Sequence, residues 1–111
     1  LNNLAWLTME NDQLEEALGY CEKAYELAPT VANVVDTYAQ VLLRLDKKRQ
    51  ALAKSKEAYE LSKGKDVDIA LNYIEILMAN SRNNEATTLI VEVTPETDVQ
   101  KAKKAELLNK I

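Results

Sequence analysis

The tetrapeptide Ala-Tyr-Glu-Leu occurs at residues 24–27 and again at residues 58–61, 34 positions later. The flanks agree as well. EEALGYCEKAYELAP (15–29) and RQALAKSKEAYELSK (49–63) both place Ala-Leu seven residues ahead of the shared word. A fixed period between 20 and 50 residues marks stacked structural units, each too small to bury both of its faces alone. This repeat limits the chain to architectures built by piling one small unit on the next.

Within the first unit, Leu1, Leu4, Ala5 and Thr8 recur at helical spacing on one face. The polar stretch MENDQ then turns the chain, with Asp12 placed as an N-cap. Leu14, Ala17, Leu18, Cys21, Ala24, Tyr25 and Ala28 follow at steps of three and four, and Pro29 stops the helix. The second unit repeats the scheme. Thr30 is positioned to cap a helix bearing Val34, Val35, Tyr38, Ala39, Val41, Leu42 and Leu45. Asp46 opens the turn, and Ala51, Leu52, Ser55, Ala58, Tyr59 and Leu61 mark the second helix. Gly64 follows where a left-handed terminal residue is wanted.

A third unit lies one residue out of step, since Ala51 to Ala86 spans 35 positions. Asp66 caps a helix with Ile69, Ala70, Tyr73, Ile74, Ile76 and Leu77. NSRNN makes the turn, and Ala86, Leu89, Ile90 and Val93 continue the second helix. Small residues at 5, 39, 17, 51 and 86 allow paired helices to approach closely near each turn. After Val93, Thr94 and Pro95 predict the start of one more helix. Its narrow stripe of Val99, Ala102, Ala105, Leu108 and Ile111 faces the array, with Lys101, Lys103, Lys104 and Lys110 outside. That is the pattern of a terminal cap, which covers the last pair and shows charge to water.

Composition agrees. Leu, Ala, Glu, Lys and Arg supply about half of the 111 residues, a helical balance, and only two Gly and two Pro interrupt it. No long run alternates β-branched with polar residues, so an all-α chain of one domain is expected. The chain opens LNNLAWL, without an initiator Met or a basic leader, and is expected to be a piece of a longer protein.

The 34-residue helix–turn–helix with Leu4-Ala5, Ala17, Ala24 and Pro29 resembles the tetratricopeptide repeat. The resemblance covers residues 1–94 as three repeats, 1–29, 30–64 and 65–94, followed by a capping helix over 95–111. The family's first-helix Gly is Ala5, Ala39 and Ile74 here, its turn Gly is Asp12, Asp46 and Ser81, and Val93 takes a small second-helix position. LNNLAWL, AYELAP and VVDTYAQVLL further resemble the C-terminal repeats of bacterial tetratricopeptide lipoproteins associated with exosortase sorting and exopolysaccharide export.

The resemblance implies a right-handed α-α superhelix whose concave face, lined by the first helix of each pair, holds a peptide or partner protein. Groove positions by helical phase are Asn2, Trp6, Met9, Asn33, Asp36, Gln40, Leu43, Leu71, Glu75 and Met78. Some members clamp a C-terminal carboxylate with Lys and Asn. The matching positions here hold Asn2, Trp6, Gln40 and acids, so no such clamp is expected, and Asp36 and Glu75 favour a neutral or basic partner. The lipoprotein resemblance implies the periplasm or cell envelope; without it the cytoplasm is expected.

The chain is read as non-enzymatic, with no metal and no cofactor. It has no His, hence neither the commonest general base nor the commonest metal ligand. Cys21 stands alone and reads as a small buried hydrophobe. No phosphate loop, GxSxG, HExxH or CxxC occurs. Glu15-Glu16, and Asp66 with Asp68, sit at helix starts, where negative charge suits the dipole.

Nucleic acid is not expected at a net charge of −4. The run RLDKKRQALAKSK (44–56) is the strongest contrary sign, with Arg44, Lys47, Lys48, Arg49, Lys54 and Lys56. It is interrupted by Asp46 and reads as a solvated turn and helix face. No 18-residue apolar stretch exists to span a membrane. Two readings remain: a groove that binds a peptide or protein, or a spacer and cap of a longer array that self-associates through its N-terminal face near Leu1, Leu4 and Trp6.

Overall fold

Seven helices and no strand make up the computed structural model, which describes all 111 residues. They are α1 (Asn2–Glu10), α2 (Leu14–Leu27), α3 (Ala32–Arg44), α4 (Lys48–Leu61), α5 (Val67–Ala79), α6 (Asn83–Ile90) and α7 (Asp98–Lys110). Consecutive helices pack from α1 through α6. Helix α3 also touches α1 and α5, and α5 touches α7. The odd-numbered helices thus form one row, and the hairpins α1–α2, α3–α4 and α5–α6 stack in chain order.

The small residues meet where the spacing places them. Ala5 and Ala17 share one buried cluster with Met9, Cys21 and Val41. Ala39 and Ala51 share a second with Leu42 and Ile76. Ile74 and Ala86 share a third with Leu71, Tyr73, Leu77, Ile90 and Leu107. Each hairpin therefore crosses at its small-residue position, and in the third the small member is Ala86 alone.

The three hairpin turns are copies of one another. Asp12, Asp46 and Ser81 have φ of 65°, 61° and 61°. Their amides donate to the carbonyls of Met9, Leu43 and Met78, and the following amides to Thr8, Leu42 and Leu77. These paired bonds satisfy terminal carbonyls that the helix itself leaves open. Asp12 is therefore not the N-cap of α2, as its position suggested. It closes α1, and Gln13 precedes α2 without a side-chain cap. The same closure follows α4, where Lys63 (φ 56°) takes the left-handed site and Gly64 (φ 70°) comes next. A methyl at Gly64 would lie 3.0 Å from the Tyr59 hydroxyl.

Other boundaries shift for local reasons. Val31, not Thr30, precedes α3. Asp66 does cap α5, accepting the Ile69 amide at 3.1 Å. Helix α6 stops at Ile90, so Val93 lies outside it. Its composition, NNEATTLI, is poor in helix formers. Helix α7 begins after Thr97 rather than Thr94. Thr97 accepts the Gln100 amide while Gln100 accepts the Thr97 amide, a reciprocal cap that Thr94 has no partner to make.

The packed face of α7 also differs from the apolar stripe. Only Leu107 is buried; Val99 is 79% exposed, and Ala102, Ala105, Leu108 and Ile111 face outward too. Lys103 and Lys104 turn inward instead: Lys103 donates to Asn72 and Lys104 to the Val93 carbonyl at 2.7 Å. The long Lys stems cover apolar surface while their heads find acceptors, and five small or isolated apolar side chains do not outweigh that.

Candidate functional site: a groove along the odd-numbered helices

Two adjoining depressions that share lining residues lie along the row α1–α3–α5–α7. One section, of about 620 Å³, is lined by Asn2, Asn3 and Trp6 of α1, Asn33, Asp36, Thr37, Gln40 and Arg44 of α3, Asp68 and Asn72 of α5, and Val99 and Lys103 of α7. A second section, of about 590 Å³, shares Gln40, Arg44, Val99 and Lys103 and adds Leu43, Glu75, Ala102, Glu106 and Leu107.

Seven of the ten positions assigned to the groove by helical phase line it: Asn2, Trp6, Asn33, Asp36, Gln40, Leu43 and Glu75. Three do not. Met9 is fully buried against Ala5, Ala17, Cys21 and Val41. Leu71 lies in the core around Ile74 and Leu107, and Met78 packs half-buried against the same core. Both helices have an apolar arc wider than the phase argument allowed, because each touches helices on two sides.

The floor is polar and ordered. Asp36 is buried, and Asn72 Nδ2 donates to both its carboxylate oxygens, at 3.3 and 3.1 Å. Gln40 Nε2 adds a third bond at 3.0 Å. Lys103 joins this set from α7, donating to Asn72 Oδ1 and pairing with Glu75 Oε1 at 3.3 Å. Burial pushes the Asp36 carboxyl up to about 6, against the opposing pull of the Asn72 and Gln40 hydrogen bonds and the Lys103 charge. At the far end Gln100 Nε2 donates to Asp68 at 3.1 Å. Arg44 donates to the Met9 carbonyl at 3.4 Å and faces Glu10 at 3.5 Å, tying α3 to α1.

Sequence reasoning missed Asn72 and Lys103. Asn72 is the one amide inside the apolar run VDIALNYIEILMA, and a polar residue in such a run needs a buried partner. That signal pointed to Asn72 without naming Asp36, 36 residues away. Two apolar side chains, Trp6 of α1 (42% exposed) and Val99 of α7, line the first section from its opposite sides.

The basic run 44–56 does not gather into one patch. Arg44 turns to the groove side. Lys54 lies 4.0 Å from the Tyr25 ring centroid and pairs with Glu57 at 3.0 Å, and Glu57 accepts the Tyr25 hydroxyl at 2.7 Å. Arg49 and Lys56 face a separate cleft with Tyr73 and Arg82. Cys21 is buried with its thiol pushed up to about 12, chiefly by loss of solvent. No three His, Cys, Asp or Glu side chains come together as a metal site, and no helix is long and apolar enough to cross a membrane. No family model matches the chain, and no curated protein matches it either.

Proposed function

We propose that the chain is a non-enzymatic interaction module of the tetratricopeptide kind, in which stacked hairpins form a right-handed superhelix and the groove holds a peptide or protein segment. The observation that carries this reading is the pair of adjoining depressions along α1, α3, α5 and α7, lined largely by amides and charged groups with Trp6 and Val99 among them. Asn2, Asn3, Asn33 and Gln40 offer donors and acceptors suited to a peptide backbone. Trp6 is the aromatic type that anchors interfaces. Four acids, Asp36, Asp68, Glu75 and Glu106, line the two sections against two bases, Arg44 and Lys103. Lys103 is already paired with Glu75. The groove therefore suits a neutral or basic segment.

The test is a selection of random peptides on the full chain, followed by binding to Trp6→Ala and Glu75→Lys. Selected peptides should be enriched in Lys or Arg and lose at least tenfold in affinity to both variants. Peptides that bind the two variants as tightly as the parent chain would remove the groove reading. Trp6 and Glu75 are partly exposed, so both variants should keep their helicity.

A further inference from the structure

The repeat predicts a partner for a face of α1 that the molecule leaves open. Leu1, Leu4 and Leu7 are exposed at 44%, 47% and 59%. Shifted by one repeat they become Val35, Tyr38 and Val41 on α3, and by the next repeat Ala70, Tyr73 and Ile76 on α5. Those counterparts are covered. Val35, Val41 and Ile76 are fully buried, and Ala70 and Tyr73 are 3% and 7% exposed.

At the middle and last positions the cover is of one kind, the second helix of the preceding hairpin, whereas Val35 clusters with Ala58 of α4 and Ile69 of α5 and has Tyr25 of α2 beside it. Tyr38 meets Tyr25 of α2 at 5.6 Å between ring centroids, and Tyr73 meets Tyr59 of α4 at 5.0 Å. Val41 sits against Ala17 and Cys21 of α2, and Ile76 against Ala51 of α4. Tyr25 and Tyr59 are themselves one repeat apart. The covering helix thus carries small residues at 17, 21 and 24, or 51, 55 and 58, and an aromatic immediately after.

We propose that the Leu1–Leu4–Leu7 face of α1 docks a partner helix of this chemistry: a small-residue spine ending in an aromatic side chain that lies over Leu4. The face is separate from the groove, because Asn2 and Trp6 project from the other side of α1's buried Ala5–Met9 edge. Three leucines in one stripe form a continuation of the two joints already built inside the molecule, and burying them removes apolar area that water now covers.

The probe is a synthetic peptide with the sequence of residues 47–62, which contains α4, added to the full chain with labelled Leu methyl groups. The expected result is saturable shifts of the Leu1, Leu4 and Leu7 methyls. Affinity should fall at least tenfold for the Leu7→Asp chain and for a peptide carrying Tyr59→Ala. Leu7 is mostly exposed, so Leu7→Asp should keep the parent circular dichroism; Leu4→Gln is a milder second variant. Three outcomes overturn the proposal: no saturable shift, binding unchanged in Leu7→Asp and Leu4→Gln, or concentration-dependent self-association that Leu7→Asp abolishes. The last would make a second copy of the chain the occupant. None of these outcomes bears on the Trp6 and Glu75 variants, so the two readings fail independently.

Discussion

Asn72 Nδ2 on α5 donates to both carboxylate oxygens of Asp36 on α3, at 3.3 and 3.1 Å. The pair joins two neighbouring hairpins at the floor of the groove. It also sets an unusual pH dependence. Asp36 has its carboxyl raised from 3.8 to about 6. The folded chain therefore holds a proton there more tightly than the unfolded chain does. Stability from this group is greatest below about pH 4 and falls as pH rises to about 6, the reverse of a salt-bridged carboxylate. Asp36→Asn should flatten that slope between pH 4 and 7, and because its amide has one acceptor oxygen where the carboxylate uses two, its gain in stability at pH 7 should stay below about 2 kcal/mol. Urea unfolding across that range measures it. An unchanged slope would mean that the carboxylate is fully compensated by Asn72, Gln40 and Lys103.

Ser55 is fully buried and its hydroxyl has no hydrogen-bond partner. One repeat earlier the position is Cys21, and one repeat later it is Ile90. Both are apolar in character and both are buried. An unpaired buried hydroxyl costs about 1–3 kcal/mol. Ser55→Ala should therefore stabilise by about 1 kcal/mol, and Ser55→Cys by a similar amount. The urea midpoint should rise with an unchanged slope. A lowered midpoint would show that the hydroxyl has an acceptor in solution.

Lys63 adopts a left-handed conformation at φ 56°. This conformation costs an L-residue about 1–2 kcal/mol, and Asp tolerates it better than Lys. Gly avoids that cost but loses about 0.5–1 kcal/mol to its greater freedom when unfolded. Lys63→Gly should gain about 0.5–1 kcal/mol, and Asp46→Gly less. Thermal melts of the two variants side by side give the ordering. A larger gain for Asp46→Gly would contradict the strain argument.

Leu107 is the single buried residue of α7 and joins the cluster around Ile74 and Leu77. Leu107→Ala should cost about 2–4 kcal/mol. Because α7 packs on α5 alone among the well-contacted helices, the loss of hydrogen-exchange protection should concentrate in α7 and leave α1 to α4 slow. A uniform loss would show that the cap is integral to the whole stack.

The hairpins were legible because they rest on short-range periodicity. Ala5 with Ala17, and Ala39 with Ala51, stand at spacings that any observer of the chain can count, and each pair shares a cluster. Asp66 at the start of α5 was legible as a cap for the same reason: its partner is three residues away. Seven of the ten positions placed by helical phase line the two depressions, but Met9, Leu71 and Met78 do not. Their helices touch neighbours on two sides, and the width of a buried arc depends on those neighbours.

Helix α7 marks the boundary between the two kinds of information. Its residues alone predicted a helix in this region, and Thr97 with Gln100 determined where it starts once both side chains could bond reciprocally. Which face it buries was decided only by the tertiary structure. Lys103 turns inward because Asn72 and Glu75 wait on α5, and Lys104 because the early end of α6 leaves the Val93 carbonyl open. The sequence by itself determined which stretches are helical and where the chain turns back, since those depend on near neighbours, and its 34-residue period displays the repeat directly. Pairings between distant positions, such as Asp36 with Asn72 36 residues later, depend on how the hairpins come to rest against each other.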